Sequence, residues 1–149
     1  MRLFMDTWGW IAWRNRDDPW FEVVSRAARE AFDRGAMTTT NFVVAEAITL
    51  VYSQRGGTRG ERFLNAFLDT LALPQIQVEE ITADRFEKAI ELRRRFRDKP
   101  KISFTDLTSM VVMRERGITD ILTADRHFLK VNLGFRLVPG SCGKRRARP

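Results

Sequence analysis

The fold of this chain is decided near its start by the stretch Arg2-Leu3-Phe4-Met5-Asp6. A short apolar run that ends abruptly in an acid is typical of a buried strand whose end reaches a polar site. We therefore predict a first strand over residues 2–6. A helix is predicted directly after it, over residues 7–13.

After this strand and helix, the sequence alternates between further predicted strands and helices. The further predicted strands cover residues 36–39, 76–81, 121–123 and 135–138. The further predicted helices cover residues 19–34, 41–53, 59–71, 82–97 and 103–116, and the glycine-rich segment 54–60 is predicted to be a loop. This alternation predicts an α/β fold of three layers, α/β/α, around a parallel sheet of about five strands.

Length and composition favour one domain. A chain of 149 residues can bury a single core. We expect this domain over residues 1–140 and a disordered basic tail over residues 141–149. No apolar run approaches the roughly 20 residues of a membrane-spanning helix. The single cysteine, Cys142, cannot form an internal disulfide, which fits a reducing compartment and predicts a cytoplasmic protein.

The formal net charge of +7 comes largely from two basic clusters, and without the tail's four cations 22 basic residues face 19 acidic ones. The tail cluster is Lys144, Arg145, Arg146 and Arg148. The internal cluster is Arg93, Arg94, Arg95, Arg97, Lys99 and Lys101. Both are suited to the phosphates of a nucleic acid. The alternative is an ordinary solvated helix face followed by a disordered tail.

Two acids fall at the ends of predicted strands. Asp6 ends the first strand, and Asp125 follows the strand over 121–123 by two residues. In doubly wound sheets, ligands bind beyond the carboxyl ends of the strands, where the strand order reverses. We expect these two strands to be neighbours there, so the two carboxylates converge. Alternatively, Asp125 only caps a short helix.

Two further acids lie on predicted helices. Glu46 is the only charged residue between Asn41 and Gln54, in a segment so apolar that we expect burial, which is costly for an unpaired carboxylate. Its alternative is a solvent-facing position or an ion pair with an arginine. Asp106 ends the sequence Ser103-Phe-Thr-Asp106, which also fits a helix-capping box.

The four acids together point to a metal site more strongly than any one of them. Two carboxylates 4 Å apart repel by about 4 kcal/mol at an effective dielectric constant near 20, so a shared pocket requires a counter-charge. Oxygen ligands favour Mg²⁺ or Mn²⁺ over Zn²⁺. Since His127 is the only histidine, a metal-free nuclease using two histidines and a Cys/His zinc cluster are both excluded.

Each of the four acids belongs to a short motif. The motifs are Phe4-Met5-Asp6-Thr7, Thr39-Thr40-Asn41-Phe42-Val43-Val44-Ala45-Glu46, Ser103-Phe104-Thr105-Asp106 and Ile121-Leu122-Thr123-Ala124-Asp125-Arg126-His127-Phe128. These motifs resemble those of PIN domains. Their order and spacing match over the whole chain short of the tail. The small size is most similar to that of VapC, the toxin half of type II toxin–antitoxin pairs.

This resemblance implies a PIN-like fold and a metal-dependent endoribonuclease. Asp6, Glu46, Asp106 and Asp125 would be the catalytic residues and the ligands of Mg²⁺ or Mn²⁺, and water activated by the metal would hydrolyse RNA phosphodiesters. Asn41, Ser103 and Thr123 match polar positions that border the site in this family. A homodimer and a small cognate antitoxin are implied as well. The sequence departs from the family at Trp8, where the residue is often Ser or Thr.

Four tryptophans near the start have two interpretations: Trp8, Trp10, Trp13 and Trp20. They could stack on unpaired RNA bases or accept an antitoxin helix. We expect at least two of them to pack in the core instead.

Two rival functions remain open at this stage. The first is a non-catalytic RNA-binding module on the same fold, which would rely on the basic clusters and the tryptophans. The second is a signalling receiver domain, which also uses strand-end acids and one magnesium. It needs a phospho-accepting aspartate after a middle strand, where this chain has Glu79 and Glu80, so it ranks last.

Deletion of residues 144–149 is expected to weaken RNA binding and to flatten its salt dependence, because each phosphate contact releases counterions. Binding titrations at several salt concentrations measure this. An unchanged salt slope would show that the tail does not contact RNA.

Overall fold

The computed structural model of the protein describes residues 2–140, in which strands and helices alternate. The strands are β1 (Leu3–Met5), β2 (Met37–Thr40), β3 (Ile76–Glu79), β4 (Asp120–Leu122) and β5 (Arg136–Val138). The helices are α1 (Thr7–Arg14), α2 (Phe21–Asp33), α3 (Asn41–Arg55), α4 (Gly57–Leu71), α5 (Ala83–Arg95), α6 (Phe104–Arg116) and α7 (His127–Lys130). The predicted basic tail and Cys142 lie outside the described residues.

The strands form one parallel sheet in the order β3-β2-β1-β4-β5. The chain builds β2 and β3 on one side of β1 and then returns to add β4 and β5 on the other. The strand order therefore reverses between β1 and β4, where a doubly wound sheet opens a crevice at its carboxyl edge. The predicted parallel sheet of about five strands is confirmed.

Helices cover both faces of this sheet. Every residue of β1, β2 and β4 is buried. Because successive side chains of a strand point to opposite faces, full burial requires a helical layer on each side. The two outer strands, β3 and β5, contain both buried and more exposed residues. The predicted α/β/α layering follows from this pattern.

Helix α1 lies unusually close to β4. A Cβ atom at Gly9 would stand 2.6 Å from the Leu122 carbonyl oxygen, a distance that no side chain can occupy. In the next position, Trp10 is fully buried, and its indole Nε1 donates to Thr39 Oγ1 at 3.2 Å. Its ring packs edge-on against Phe67, with the ring centroids 5.1 Å apart. These contacts fix α1 on the sheet.

The loop predicted over residues 54–60 is wrong. Helix α3 runs to Arg55, Gly56 alone connects the two helices with a φ of 76°, and α4 begins at Gly57. Gly60 lies inside α4, where a Cβ would stand 2.9 Å from the Tyr52 ring. That glycine is required for close packing of α3 against α4, and not for a turn.

The start of α3 agrees with the prediction, and the start of α2 differs. Thr40 caps α3, with its Oγ1 accepting from the Val43 backbone N–H at 3.1 Å. The Asn41 Oδ1 accepts from the Ile81 backbone N–H at 2.9 Å and ties α3 to the end of β3. In α2, the first helical residue is Phe21, two residues later than predicted.

Within residues 2–140, no helix has both the length and the apolar character to cross a bilayer.

Candidate active site

The centre of the site is a threonine that joins two acids. Met5 of β1 pairs with Leu122 of β4, so Asp6 and Thr123 leave the sheet side by side. The Thr123 Oγ1 donates to Asp6 Oδ2 at 2.8 Å and accepts from the Asp125 backbone N–H at 3.0 Å. The predicted convergence of the two strand ends is therefore present, and Thr123 connects them directly.

Asp125 has a local role before α7, although Arg126 is the residue at the N-cap position of that helix. The Asp125 Oδ1 accepts from the His127 backbone N–H at 2.8 Å. This bond fixes the turn between β4 and α7. The same side chain lines the cleft beside Asp6, so its local role is compatible with the predicted role in the site.

Asp106 lies in the first turn of α6. Half of the predicted capping box forms, since Ser103 Oγ accepts from the Asp106 backbone N–H at 3.1 Å. The Asp106 carboxyl faces the cleft, where the negative charges of the other three acids repel its ionised form. Ser103 therefore positions the helix that delivers this acid.

Glu46 reaches the cleft from α3, but it is not buried. That helix buries Val43, Ala47 and Val51, while Glu46 is exposed, so its predicted burial is wrong. The Glu46 Oε2 accepts from Thr7 Oγ1 at 3.2 Å. Thr7 thus supplies a hydroxyl next to Asp6, one residue before the position where the family often has Ser or Thr and this chain has Trp8.

All four acids line one cleft of about 610 Å³ at the carboxyl edge of the sheet. Thr123 and Ser103 line it too, whereas Asn41, the third polar residue expected there, does not. Most of the remaining lining residues were not predicted from the sequence. They are Thr7, Trp8, Ile11, Leu50, Gln54, Lys101, Ala124 and His127.

Burial and mutual repulsion make two of these acids hard to ionise. Burial raises the pKa of Asp6 to about 6, with the charges of Glu46 and Asp125 adding to the effect and the Thr123 hydrogen bond opposing it. The pKa of Asp106 rises to about 8, first through burial and then through the charges of Asp6, Asp125 and Glu46. A cation in the cleft would lower the pKa of both acids, because it favours their charged forms.

His127 is a site residue that sequence reasoning missed. Asp106, Asp125 and His127 each offer a ligand atom, and these atoms lie within 4.8 Å of one another. From the sequence, the single histidine served only to exclude a two-histidine nuclease and a Cys/His zinc cluster. Its place two residues after Asp125, at the start of a helix, was the signal that could have located it.

The internal basic cluster does not act as one surface. The Arg93 guanidinium donates to three carbonyl oxygens of the loop before α6, those of Phe96 (2.7 Å), Lys99 (2.7 Å) and Ile102 (2.5 Å). Its predicted role as an RNA contact is not supported by this geometry. Lys101, in the same loop, lines the cleft.

The other members of the internal cluster lie away from the acids. Arg94, Arg95 and Arg97 are exposed, and Lys99 pairs with Asp98 at 2.8 Å. None of these four lines the cleft. The tail cations lie outside the described residues, so the prediction for them stays a prediction.

The tryptophans divide between core and cleft. Trp10 is fully buried, and Trp13 packs beside it with ring centroids 5.7 Å apart. This confirms core packing for two of the four. Trp8 is half-buried and lines the cleft, where its ring can meet a ligand, and Trp20 packs against the edge of the core.

A family model described as PIN domain matches residues 3–133. The chain belongs to the PIN domain family. The resemblance seen in the four motifs is thereby confirmed, and the four acids lie where a doubly wound PIN fold opens its crevice.

Relatives of this PIN domain include a toxin of known substrate. The chain is 32% identical over 126 residues to the "23S rRNA-specific endonuclease VapC20" of Mycobacterium tuberculosis strain CDC 1551 / Oshkosh, covering 85% of this chain and 91% of that protein. The match to the same protein of strain H37Rv has the same identity and coverage.

A solved structure agrees with these relatives. The crystal structure of M. tuberculosis VapC20, described as a "Sarcin-Ricin loop cleaving toxin", superposes with a TM-score of 0.73 at 28% identity. The match covers 87% of this chain and 95% of that one. Similarity to VapC toxins is therefore found in both sequence and fold.

The metal-free PIN domain is expected to lose stability as the pH rises from about 5 to about 8. The pKa values of Asp6 and Asp106 lie above their ordinary value of 3.8, so the folded chain binds more protons than the unfolded chain over this interval. The free energy of unfolding then decreases with pH. Thermal unfolding in EDTA at several pH values measures the trend.

Asp106→Asn is expected to flatten this trend and to raise the metal-free Tm near pH 8 by at least about 2 °C. The amide removes a charge that the site disfavours. Asp69→Asn, on the exposed side of α4, is the control and leaves the wild-type trend unchanged. A lower Tm near pH 8 with an unchanged pH trend would contradict the electrostatic account.

Arg93→Gln is expected to lower the free energy of unfolding by about 1–3 kcal/mol, because three carbonyl oxygens lose a charged donor. Its exposed neighbour provides the control: Arg94→Gln should change stability by less than about 0.5 kcal/mol. Denaturant unfolding compares the two. Equal effects would show that the Arg93 hydrogen bonds contribute little.

Proposed function

We propose that this PIN domain is an endoribonuclease dependent on Mg²⁺ or Mn²⁺ that acts as the toxin of a toxin–antitoxin pair. The observation that carries the proposal is the gathering of Asp6, Glu46, Asp106 and Asp125 in one cleft at the ends of β1 and β4. Membership of the PIN family and similarity to named endonuclease toxins support the same activity.

The donor set of the cleft fits a hard divalent cation. Carboxylate oxygens are the preferred ligands of Mg²⁺ and Mn²⁺. Burial and repulsion raise the pKa of both Asp6 and Asp106, and the pKa of Asp106, about 8, means that this acid needs a counter-charge to be ionised at neutral pH. The proposed ligands are these two acids together with Glu46 and Asp125.

Neighbouring hydroxyls hold the carboxylates in place. Thr123 fixes the Asp6 side chain, and Thr7 holds Glu46. Ser103 caps the helix that presents Asp106. Since each hydrogen bond comes from an element anchored to the sheet, the acids are oriented before any ligand binds.

The cleft also offers contacts for an RNA strand. Lys101 can meet a phosphate at its rim, and the apolar side chains of Trp8, Ile11 and Leu50 can meet a base or sugar. When bound, the cation activates water and stabilises the charge that develops on the phosphate. In the manner of this family, cleavage leaves a 5′-phosphate and a 3′-hydroxyl.

Ribosomal RNA is the proposed substrate class. The relatives are named for 23S rRNA and for cleavage of the sarcin–ricin loop, and they match most of this chain. Intact ribosomes and isolated 23S rRNA are the first substrates to test. Such a substrate places the proposed site of action in the cytoplasm.

The proposed partners are a small antitoxin and a second copy of the chain. Helix α3 leaves Phe42, Val44, Ile48 and Leu50 only partly buried and Ala45 exposed, which is unusual for a surface helix. A homodimer or an antitoxin helix would cover such side chains. A small neighbouring gene for a DNA-binding protein would support the toxin assignment.

Asp6→Asn is expected to lower RNA cleavage by about 10²-fold or more, because it removes a charged ligand of the cation that would activate water. The fold should survive, since the amide oxygen can still accept from Thr123. Cleavage is measured with Mn²⁺ on ribosomes and on free RNA, with RNA affinity measured in parallel. Growth arrest on expression should disappear with the same substitution.

Asp69→Asn, remote from the cleft, is the control and keeps full activity. The rival function makes a different prediction for the same experiment. If the wild type with Mn²⁺ cut no RNA while both wild type and Asp6→Asn bound it equally, the chain would be a non-catalytic RNA-binding module. Cleavage of RNA other than 23S rRNA would overturn only the substrate class.

A further inference from the structure

We propose that His127 Nδ1 is a ligand of the divalent cation in this cleft and that it shifts the site's preference from Mg²⁺ toward Mn²⁺. This inference rests on the proposed function, because it concerns the cation held by the same carboxylates. It adds a nitrogen to a ligand set that the four acids alone would make entirely of oxygen.

The distances around His127 fit a shared ion. Its Nδ1 lies 3.1 Å from Asp125 Oδ1 and 4.0 Å from Asp106 Oδ2. In octahedral coordination with bonds of about 2.1 Å, adjacent ligand atoms stand about 3.0 Å apart and opposite ones about 4.2 Å apart. Both distances lie within the range that two ligand atoms of one such ion would span.

The Nδ1 atom makes no hydrogen bond among the described residues. It is buried and lies at ion-pair distance from Asp125 Oδ1, 3.1 Å away. That oxygen, Asp125 Oδ1, already accepts from the His127 backbone N–H at 2.8 Å. A buried nitrogen that faces carboxylate oxygens without a hydrogen bond is unfavourable, and a cation between them would satisfy all of these atoms.

The backbone holds this imidazole in place. The Asp125 side chain fixes the first residue of α7, and the following residue, Phe128, is fully buried. The Phe128 ring packs edge-on against Phe135, with ring centroids 6.0 Å apart. Because α7 is anchored on both sides of the histidine, the side chain keeps its approach to the acids.

A nitrogen ligand changes which ions bind well. Mg²⁺ is a hard ion that takes oxygen ligands and retains water, whereas imidazole suits transition-metal ions. Adding His127 to the carboxylates therefore raises the affinity for Mn²⁺ relative to Mg²⁺. The acids alone would leave the two ions more nearly equal.

The test uses Mn²⁺ as both ligand and probe, on the full chain freed of metal. Mn²⁺ binding is followed by electron paramagnetic resonance, and pulsed measurements detect ¹⁴N coupled to the bound ion. We expect ¹⁴N coupling in the wild type. In His127→Gln, which moves the donor atom away, we expect the coupling to vanish and the Kd for Mn²⁺ to rise about 10-fold or more.

A second variant separates ligation from general damage to the site. In His127→Asn, the amide oxygen can take the position of Nδ1, so Mg²⁺ affinity should stay within about 3-fold while the preference for Mn²⁺ and the ¹⁴N coupling are lost. Lys130→Gln, on the exposed side of α7, is the control and keeps both. Circular dichroism verifies that each variant is folded.

The outcomes distinguish this inference from the proposed function. RNA cleavage with bound Mn²⁺ but no ¹⁴N coupling would overturn the role of His127 and leave the nuclease intact. Coupling that persisted in His127→Asn would overturn it as well. A wild type that neither bound Mn²⁺ nor cut RNA would remove the proposed function and this inference together.

Discussion

The site depends on the hydrogen bond from Thr123 to Asp6, which the pairing of β1 with β4 makes possible. Because Met5 and Leu122 are in register, the two strands deliver an acid and a hydroxyl to the same point. The same hydroxyl accepts from the Asp125 backbone and so fixes the start of α7. The two helical acids, Glu46 and Asp106, lie on helices that begin near this edge of the sheet.

The chain tolerates an electrostatic cost at this point. Asp6 and Asp106 are buried among like charges, and both carry a raised pKa. The hydroxyls of Thr123 and Ser103 stabilise the arrangement locally, but they are neutral and cannot remove the repulsion. Sites that act on substrates commonly retain such unfavourable charges, because the same charges attract the cation that the chemistry requires.

Sequence reasoning located the sheet and the four acids because both leave local signals. Apolar runs ending in acids predicted where Asp6 and Asp125 lie, and the motif order predicted Glu46 and Asp106. It was wrong about the burial of Glu46, because an apolar helix reveals its composition and not which side packs on the sheet. The Arg93 contacts depend on how the loop before α6 folds back, which residue types alone do not indicate. His127 did leave a local signal, its place two residues after Asp125, and that signal was not used. Gly60 was misread because its neighbour Tyr52 belongs to another helix.

The close approach at Gly9 has a consequence for how this protein can be inactivated. With the Leu122 carbonyl 2.6 Å from where a Cβ would stand, even a single methyl group would wedge α1 away from β4. Thr7 and Trp8 precede it in the same helix, so the wedge would open the cleft while every acid kept its chemical identity. In a selection for variants that lack the proposed nuclease activity, substitutions of Gly9 would then be found alongside substitutions of the acids. Such Gly9 variants would lose activity because the cleft is displaced, although all four acids are present.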